Sequence, residues 1–400
     1  MRRIDASRVV TALALVGAAA VSGCGSQAEI VGQNFEAETL DAYLTAIPSE
    51  SRLEASVPVQ ALPEDGEVRE TLQATSLGES ELAKVAVEAA SQINAPVREI
   101  TGVLHEIVEL PPTHFDVEEH RFVWGPWPHQ DGFGDMLLFV QENDPGDDFE
   151  YSYALGRILG TDFDTFEAVI WGAATPDPEV EDRGVGVTLW DLEANRRFDE
   201  THDPEFESAD SSAQGRFVML YGHGVSNTEP ETDVFYNHAV FRSFLGEDAE
   251  PGSAPFDVDY LYGRVAGDPN QLDFMDFSVV SDVCDTSSDA CFENDTVDDA
   301  DENFDFRAAF INEGVGRAEV GIEGGDLPSA VEVAECWNDE LDRVFVEVSS
   351  GAEEVALAGE CPAVWSQPLS DMGLPGLGDI DPELSERLDC VASNGLEGCE

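Results

Sequence analysis

The chain is predicted to be mainly β, of the α+β kind, with N-terminal helices packed on a long, strongly curved antiparallel sheet that forms a barrel, half-barrel or sandwich. Three observations carry this expectation. In the first hundred or so residues the apolar positions recur at helical spacing. Past His120 the period falls from about 3.6 to about 2. From there about ten strand-like runs follow one another through short connections with no crossover helices, so they must pair largely antiparallel. A sheet of that length curls on itself or splits into two layers.

The helical part is read first. Residues 36–47 place Leu40, Tyr43, Leu44 and Ile47 on one face, and Pro48 stops the pattern. Ser51 to Ser76 is polar and interrupted by prolines. Ser80 then caps a helix over 80–95 whose face holds Leu82, Val85, Ala86, Ala89 and Ile93. Pro96 stands where a separate helix over 96–110 would begin, with Val97, Ile100, Leu104, Ile107 and Val108 on its apolar side before Pro111 and Pro112. These helices are apolar enough to cover the concave face of a sheet or to plug one end.

The strands follow. Phe149, Tyr151, Tyr153 and Leu155 alternate with smaller or polar neighbours, and so do Phe256, Val258, Tyr260 and Tyr262. Further strands are expected at 135–142, 166–173, 183–190, 215–225, 233–244, 271–281, 303–311, 315–322 and 343–349. Most are bounded by turn clusters such as Asn143-Asp144-Pro145-Gly146. The organisation is therefore a leader over 1–23, a tether over 24–35, a helical segment over 36–120, a β body over 121–365 and a peripheral tail over 366–400.

The leader has its own chemistry. Arg2, Arg3 and Arg8 precede the apolar run Val9 to Val21, and the small residues Ser22 and Gly23 stand directly before Cys24. The run is shorter than the ~20 residues needed to cross a bilayer. Val21-Ser22-Gly23-Cys24 resembles the lipobox of bacterial lipoproteins. That resemblance implies cleavage before Cys24, acylation (palmitate-type chains) of its thiol and amine, and membrane attachment through this lipid alone. Gly25 stands where an Asp would imply inner-membrane retention, so the family's rule points to the outer membrane. Trp124-Gly125-Pro126 and Glu335-Cys336-Trp337 are similar to features of uncharacterised lipoproteins of deltaproteobacterial type, which bring no activity with them. In architecture, helices against a curved antiparallel sheet also resemble the half-barrel carriers that shield lipids between membranes.

Six cysteines remain beyond Cys24: Cys284, Cys291, Cys336, Cys361, Cys390 and Cys399. An even set suits an oxidising compartment, and all six fall into close sequential pairs, so pairing of neighbours is expected. None shows C-x-x-C spacing, which leaves zinc and thioredoxin-like chemistry without support.

Charge excludes several partners. The formal net charge is -65, with 84 acidic residues against 19 basic ones. Nucleic acid and anionic lipid surfaces are disfavoured partners for such a chain. The same abundance deprives any pair of carboxylates of meaning as a glycosidase pair. No catalytic residue is assigned: there is no G-x-S-x-G elbow, and His105-Glu106 lacks the second His of a zinc-protease helix. His114, His120 and His129, with Glu118 and Glu119 among them, match no metal-ligand spacing. The acidic stretch Asp285 to Asp305 is the local Ca²⁺ candidate through Asp295, Asp298, Asp299 and Asp301, although it lacks the glycine of an EF loop. A solvated loop is the other reading. The aromatics Tyr151, Tyr153, Tyr236, Tyr260, Tyr262, Trp171 and Trp190 sit at strand spacing, where they either pack the sheet or line a cavity. The functional expectation is a lipid-anchored binding module for an apolar ligand or lipid. The alternatives are a surface lipoprotein with a structural or interaction role, and a Ca²⁺-dependent or enzymatic role without a motif.

Overall fold

A computed structural model describes residues 37–55, 77–129, 133–177, 179–180, 183–205, 214–225, 232–245, 255–266, 271–281, 302–311, 314–325, 327, 329–351, 353–395 and 399. The leader, Cys24, the tether, Cys284, Cys291 and the Ca²⁺ candidates Asp295, Asp298, Asp299 and Asp301 lie outside these residues.

Five α-helices are described: α1 (Ala37–Leu44), α2 (Glu50–Leu53), α3 (Glu81–Val108), α4 (Leu192–His202) and α5 (Pro382–Asn394). The strands are β1 (His114–Asp116), β2 (Arg121–Pro128), β3 (Asp135–Glu142), β4 (Tyr151–Leu159), β5 (Asp162–Pro176), β6 (Gly184–Asp191), β7 (Gln214–Val225) and β8 (Asp233–Leu245). They continue as β9 (Phe256–Ala266), β10 (Gln271–Ser281), β11 (Glu302–Ile311), β12 (Gly316–Gly324), β13 (Val331–Trp337), β14 (Arg343–Ser350) and β15 (Glu353–Gly359).

All 15 strands form one sheet in chain order, every neighbour antiparallel. The mainly β, antiparallel expectation holds. The barrel, half-barrel and sandwich expectations do not: β1 and β15 are opposite edges of a single sheet that is neither closed nor strongly curled. Helix α3 spans it. Ser80 at its start bonds Glu335 on β13, and Leu110 beyond its end accepts from Trp124 on β2. The 28 residues of α3 reach ~42 Å, whereas eleven strand spacings are ~52 Å along the sheet. The Glu335 and Trp124 side chains, which reach toward the two ends of the helix, help make up the difference.

The helix forms where its stripe predicts, but as one element. Ser80 caps it by accepting from the Ala83 amide at 3.1 Å. Leu82, Ala86, Ala90, Ile93, Val97, Ile100 and Leu104 are buried in one continuous row. Pro96 therefore lies inside a single helix and not at a boundary between two. A proline there removes one helical hydrogen bond, and the apolar row, which stays in phase on both sides of it, compensates. Helix α2 is clamped beside α3: Asn94 exchanges two 2.8 Å hydrogen bonds with the Ala55 backbone.

The reason the sheet can stay open is that both faces are covered. On the first face, α1 to α3 lie over a core containing Phe122, Trp124, Tyr153, Phe217, Tyr262 and Trp337. On the second, the tail that was expected at the periphery seats Leu384, Leu388 and Val391 of α5 against Ala173, Val187, Leu189 and Val218. A further cluster places Trp365 and Leu369 over Phe274, Ala309 and Cys336. Two disulfides hold this layer, Cys336–Cys361 and Cys390–Cys399.

Glu335-Cys336-Trp337 shows how one strand serves both layers. The Glu335 carboxylate accepts from Ser80 Oγ at 2.7 Å and the Leu82 amide at 3.1 Å. Cys336 points the other way, into the disulfide beneath Trp365. Trp337, after a register irregularity, returns to the first core and donates from Nε1 to the Gly314 carbonyl at 2.7 Å.

Candidate ligand groove

Register decides where the first face is left uncovered. Tyr260, Phe277 and Phe306 are direct cross-strand partners on β9, β10 and β11. Their rings stack, with Phe277 4.7 Å from Phe306 and 6.3 Å from Tyr260. One row nearer the strand ends, Val258, Val279 and Phe304 are partners in turn. The inner row is buried, while Val258, Val279 and Phe304 are half-exposed. Helix α3 shares one core with the inner row, and the outer row is left half-exposed beside it.

The result is a groove of about 300 Å³ between α3 and β8 to β11. Val85, Ala89 and Ile93 form its helical wall, and Phe241, Phe256, Tyr260, Phe277 and the outer row form its floor. Glu88 and Gln92 are the polar lining residues contributed by the helix. An apolar floor with few polar groups is the usual make-up of a small-molecule site, and this volume is at the lower end of the range. Tyr260 adds a buried hydroxyl that has no hydrogen-bond partner, and burial pushes that phenol well above its ordinary value. A phenol held neutral offers a hydrogen bond rather than a charge.

The seven aromatics singled out by strand spacing are not gathered at one place. Tyr260 lines the groove. Tyr153, Tyr262 and Trp190 are buried in the first core, and Trp171 is in the second with Tyr236 packed against it. Tyr151 is half-buried against Tyr43, at 5.3 Å between ring centres. Phe241, Phe256, Phe277 and Phe304 belong to the groove without having been singled out; the signal was their alternation, which becomes a row only once register is known.

The histidines are dispersed as well. His120 sits in the turn before β2 with its Nδ1 3.5 Å from Glu142, and His114 starts β1. Among the described residues no three His, Cys, Asp or Glu side chains are grouped to hold a metal ion. Among them too, no helix is long and apolar enough to cross a membrane. No protein-family model, curated protein or solved structure matches the chain.

Proposed function

We propose that this is a lipid-anchored cell-envelope protein of the outer membrane, tethered through Cys24, whose groove between α3 and β8 to β11 holds a single apolar chain or ring. The observation that carries this reading is the half-exposed row of Val258, Val279 and Phe304 beside an apolar helical wall. In a chain of net charge -65, leaving that row open to water costs free energy that an apolar occupant recovers, at about 25 cal/mol per Å² covered. The acidic surface keeps the body off anionic lipid, so ligand reaches the groove from solution or from a donor protein.

Two measurements test it. Native mass spectrometry of protein released from its own membranes should show lipid-sized mass beyond the Cys24 modification. In vitro, N-phenyl-1-naphthylamine should brighten on binding, and Ala89→Trp, which fills the groove from the helix side, should weaken that binding tenfold or more without changing the circular dichroism. Equal brightening by the variant would sink the reading. The structural or interaction role remains the second reading, supported by the dense packing of the other aromatics.

A further inference from the structure

Three arginines of the described chain are almost wholly buried: Arg52, Arg157 and Arg317. Arg157 is paired with Asp199 at 2.8 Å and Arg317 with Glu319 at 2.6 Å. Arg52 has no carboxylate within 4.0 Å among the described residues, in a chain carrying 84 of them. Its Nη1 donates to the Thr45 carbonyl at 2.9 Å, and its Nε is buried without an acceptor. Burying a cation with no counter-charge is costly.

Asn237 on β8 donates to the Leu53 carbonyl at 2.7 Å, which fixes α2, and Arg52 with it, over the register pair Tyr221–Asn237. Tyr221 on β7 leans across Gly186 on β6, and Tyr153 on β4 leans across Gly172 on β5; a Cβ at either glycine would overlap the tyrosine. The two rings thus approach each other from opposite sides of the β5–β6 pair. Gly172 lies opposite Thr188, so Gly186 is its diagonal neighbour, roughly 7 Å away. Both hydroxyls are buried; Tyr221 Oη has no hydrogen-bond partner, and Tyr153 Oη has only the neighbouring Thr188 hydroxyl within reach. Burial and the neighbouring Tyr153 push the Tyr221 phenol well above its usual value, with the Arg52 charge opposing the shift. Each therefore keeps its proton and can donate it. Each hydroxyl lies over its own glycine, so the space between them is of the order that one ion with hydrogen bonds of ~3 Å on either side fills.

We propose that Arg52, Tyr153 and Tyr221 together bind one small monovalent anion, a halide or a small carboxylate, that supplies the missing counter-charge. Thr188 Oγ1 gives its one hydrogen to the Trp171 carbonyl across a long 3.4 Å contact and becomes a further donor when it turns that hydrogen toward the anion. The site lies on the first face under α2, separate from the groove. Its occupancy ties α2 to the sheet.

The test holds Na⁺ fixed, so that screening of the acidic surface is constant, and varies the anion. Melting temperature is compared in 0.5 M sodium gluconate, chloride, bromide and acetate, on the order of the millimolar-to-molar range in which weak sites fill. Wild type should melt several degrees higher in at least one small anion than in gluconate, which is too large to enter. Tyr153→Phe/Tyr221→Phe keeps both rings and should lose that difference. A larger rise in acetate than in bromide identifies a carboxylate site, and the reverse a halide site. Crystals grown in bromide should carry an anomalous peak between Arg52 and the two hydroxyls in the halide case. The proposal is overturned if wild type and the double variant respond alike to the anion series, or if water alone occupies the position in every salt.

Discussion

Glu335→Gln removes a carboxylate that joins the start of α3 to the sheet. Glu335 is 2% exposed, and its two oxygens serve different partners. One accepts from Ser80 Oγ and the Leu82 amide; the other accepts from Arg343 Nη1 at 2.8 Å. A glutamine carbonyl can replace only one oxygen, so its NH₂ must face either the helix amides or the guanidinium, donor against donor. Hydrogen bonds to a charged group contribute about 1.5–3 kcal/mol each, and breaking a buried ion pair costs about 3–5 kcal/mol. Arg343 is about a quarter exposed, so solvent absorbs part of this and a net loss of about 3 kcal/mol is expected. Guanidinium chloride unfolding of both proteins measures it, because that salt screens the acidic surface equally in each. Adding Ser80→Ala completes a cycle whose coupling should exceed ~1 kcal/mol. The variant should also bind N-phenyl-1-naphthylamine more weakly, since Val85 and Ala89 belong to the half of α3 that Glu335 secures. A change below ~0.5 kcal/mol with no coupling would mean that α3 is held by its apolar stripe alone.

Acid should destabilise the second layer through His238. Burial, with Arg242 adding to it, lowers that imidazole from 6.5 to about 4. The unfolded chain then takes up the proton first, so stability is complete above pH 6.5 and falls by about 3 kcal/mol as pH drops to 4. His238→Leu should lose this step in a series of urea midpoints taken between pH 4 and 7. The disulfides close loops of 25 and 9 residues, so Cys336→Ser/Cys361→Ser should cost about 3.5 kcal/mol and Cys390→Ser/Cys399→Ser about 2.5 kcal/mol. Equilibrium unfolding under non-reducing conditions reads both. Filling the groove with Ala89→Trp should weaken probe binding at least tenfold while leaving the melting temperature within a few degrees, because the introduced ring covers surface that is already apolar.

Much of the β body is legible because alternation is a local property. The runs expected at 135–142 and 271–281 are β3 and β10, and 303–311 is β11 within one residue. The pairs Cys336–Cys361 and Cys390–Cys399 are sequential neighbours as expected. What the chain hides depends on partners distant in sequence. Helix α4 interrupts the meander between β6 and β7 with a polar sequence whose core contribution is chiefly Leu192 and Phe198; its one local sign is Asp191, which caps it through the Ala194 amide at 3.0 Å. Strands β1, β2, β13 and β15 fall outside the expected runs, and β15 is exposed along nearly its whole length.

The openness of the sheet was the least legible feature, and its cause is a matter of covering area. A long antiparallel sheet with one wet face must curl or double to bury the other. Here the second cover is built from α5 and from short 3₁₀ turns at Ala363–Trp365 and Leu369–Met372, whose proline-rich sequence reads as loop. Side chains from the sheet reach out to hold that cover: Arg216 donates to the Ser393 carbonyl at 2.8 Å, Arg242 to Asp389 at 2.6 Å, and Asp276 accepts from the Leu377 amide at 3.0 Å. With both faces largely covered, the edges are the next place that needs protection. Edge β15 carries Glu353 and Glu354 and a register irregularity opposite Val348 and Ser349, devices that discourage pairing with another strand. The remaining weakness in the cover is the row of Val258, Val279 and Phe304 beyond the flank of α3. A single helix laid across the strands of a wide open sheet leaves an uncovered strip along its side. The groove is thus a geometric consequence of how the sheet was kept open, and a ligand that fills it completes the first layer.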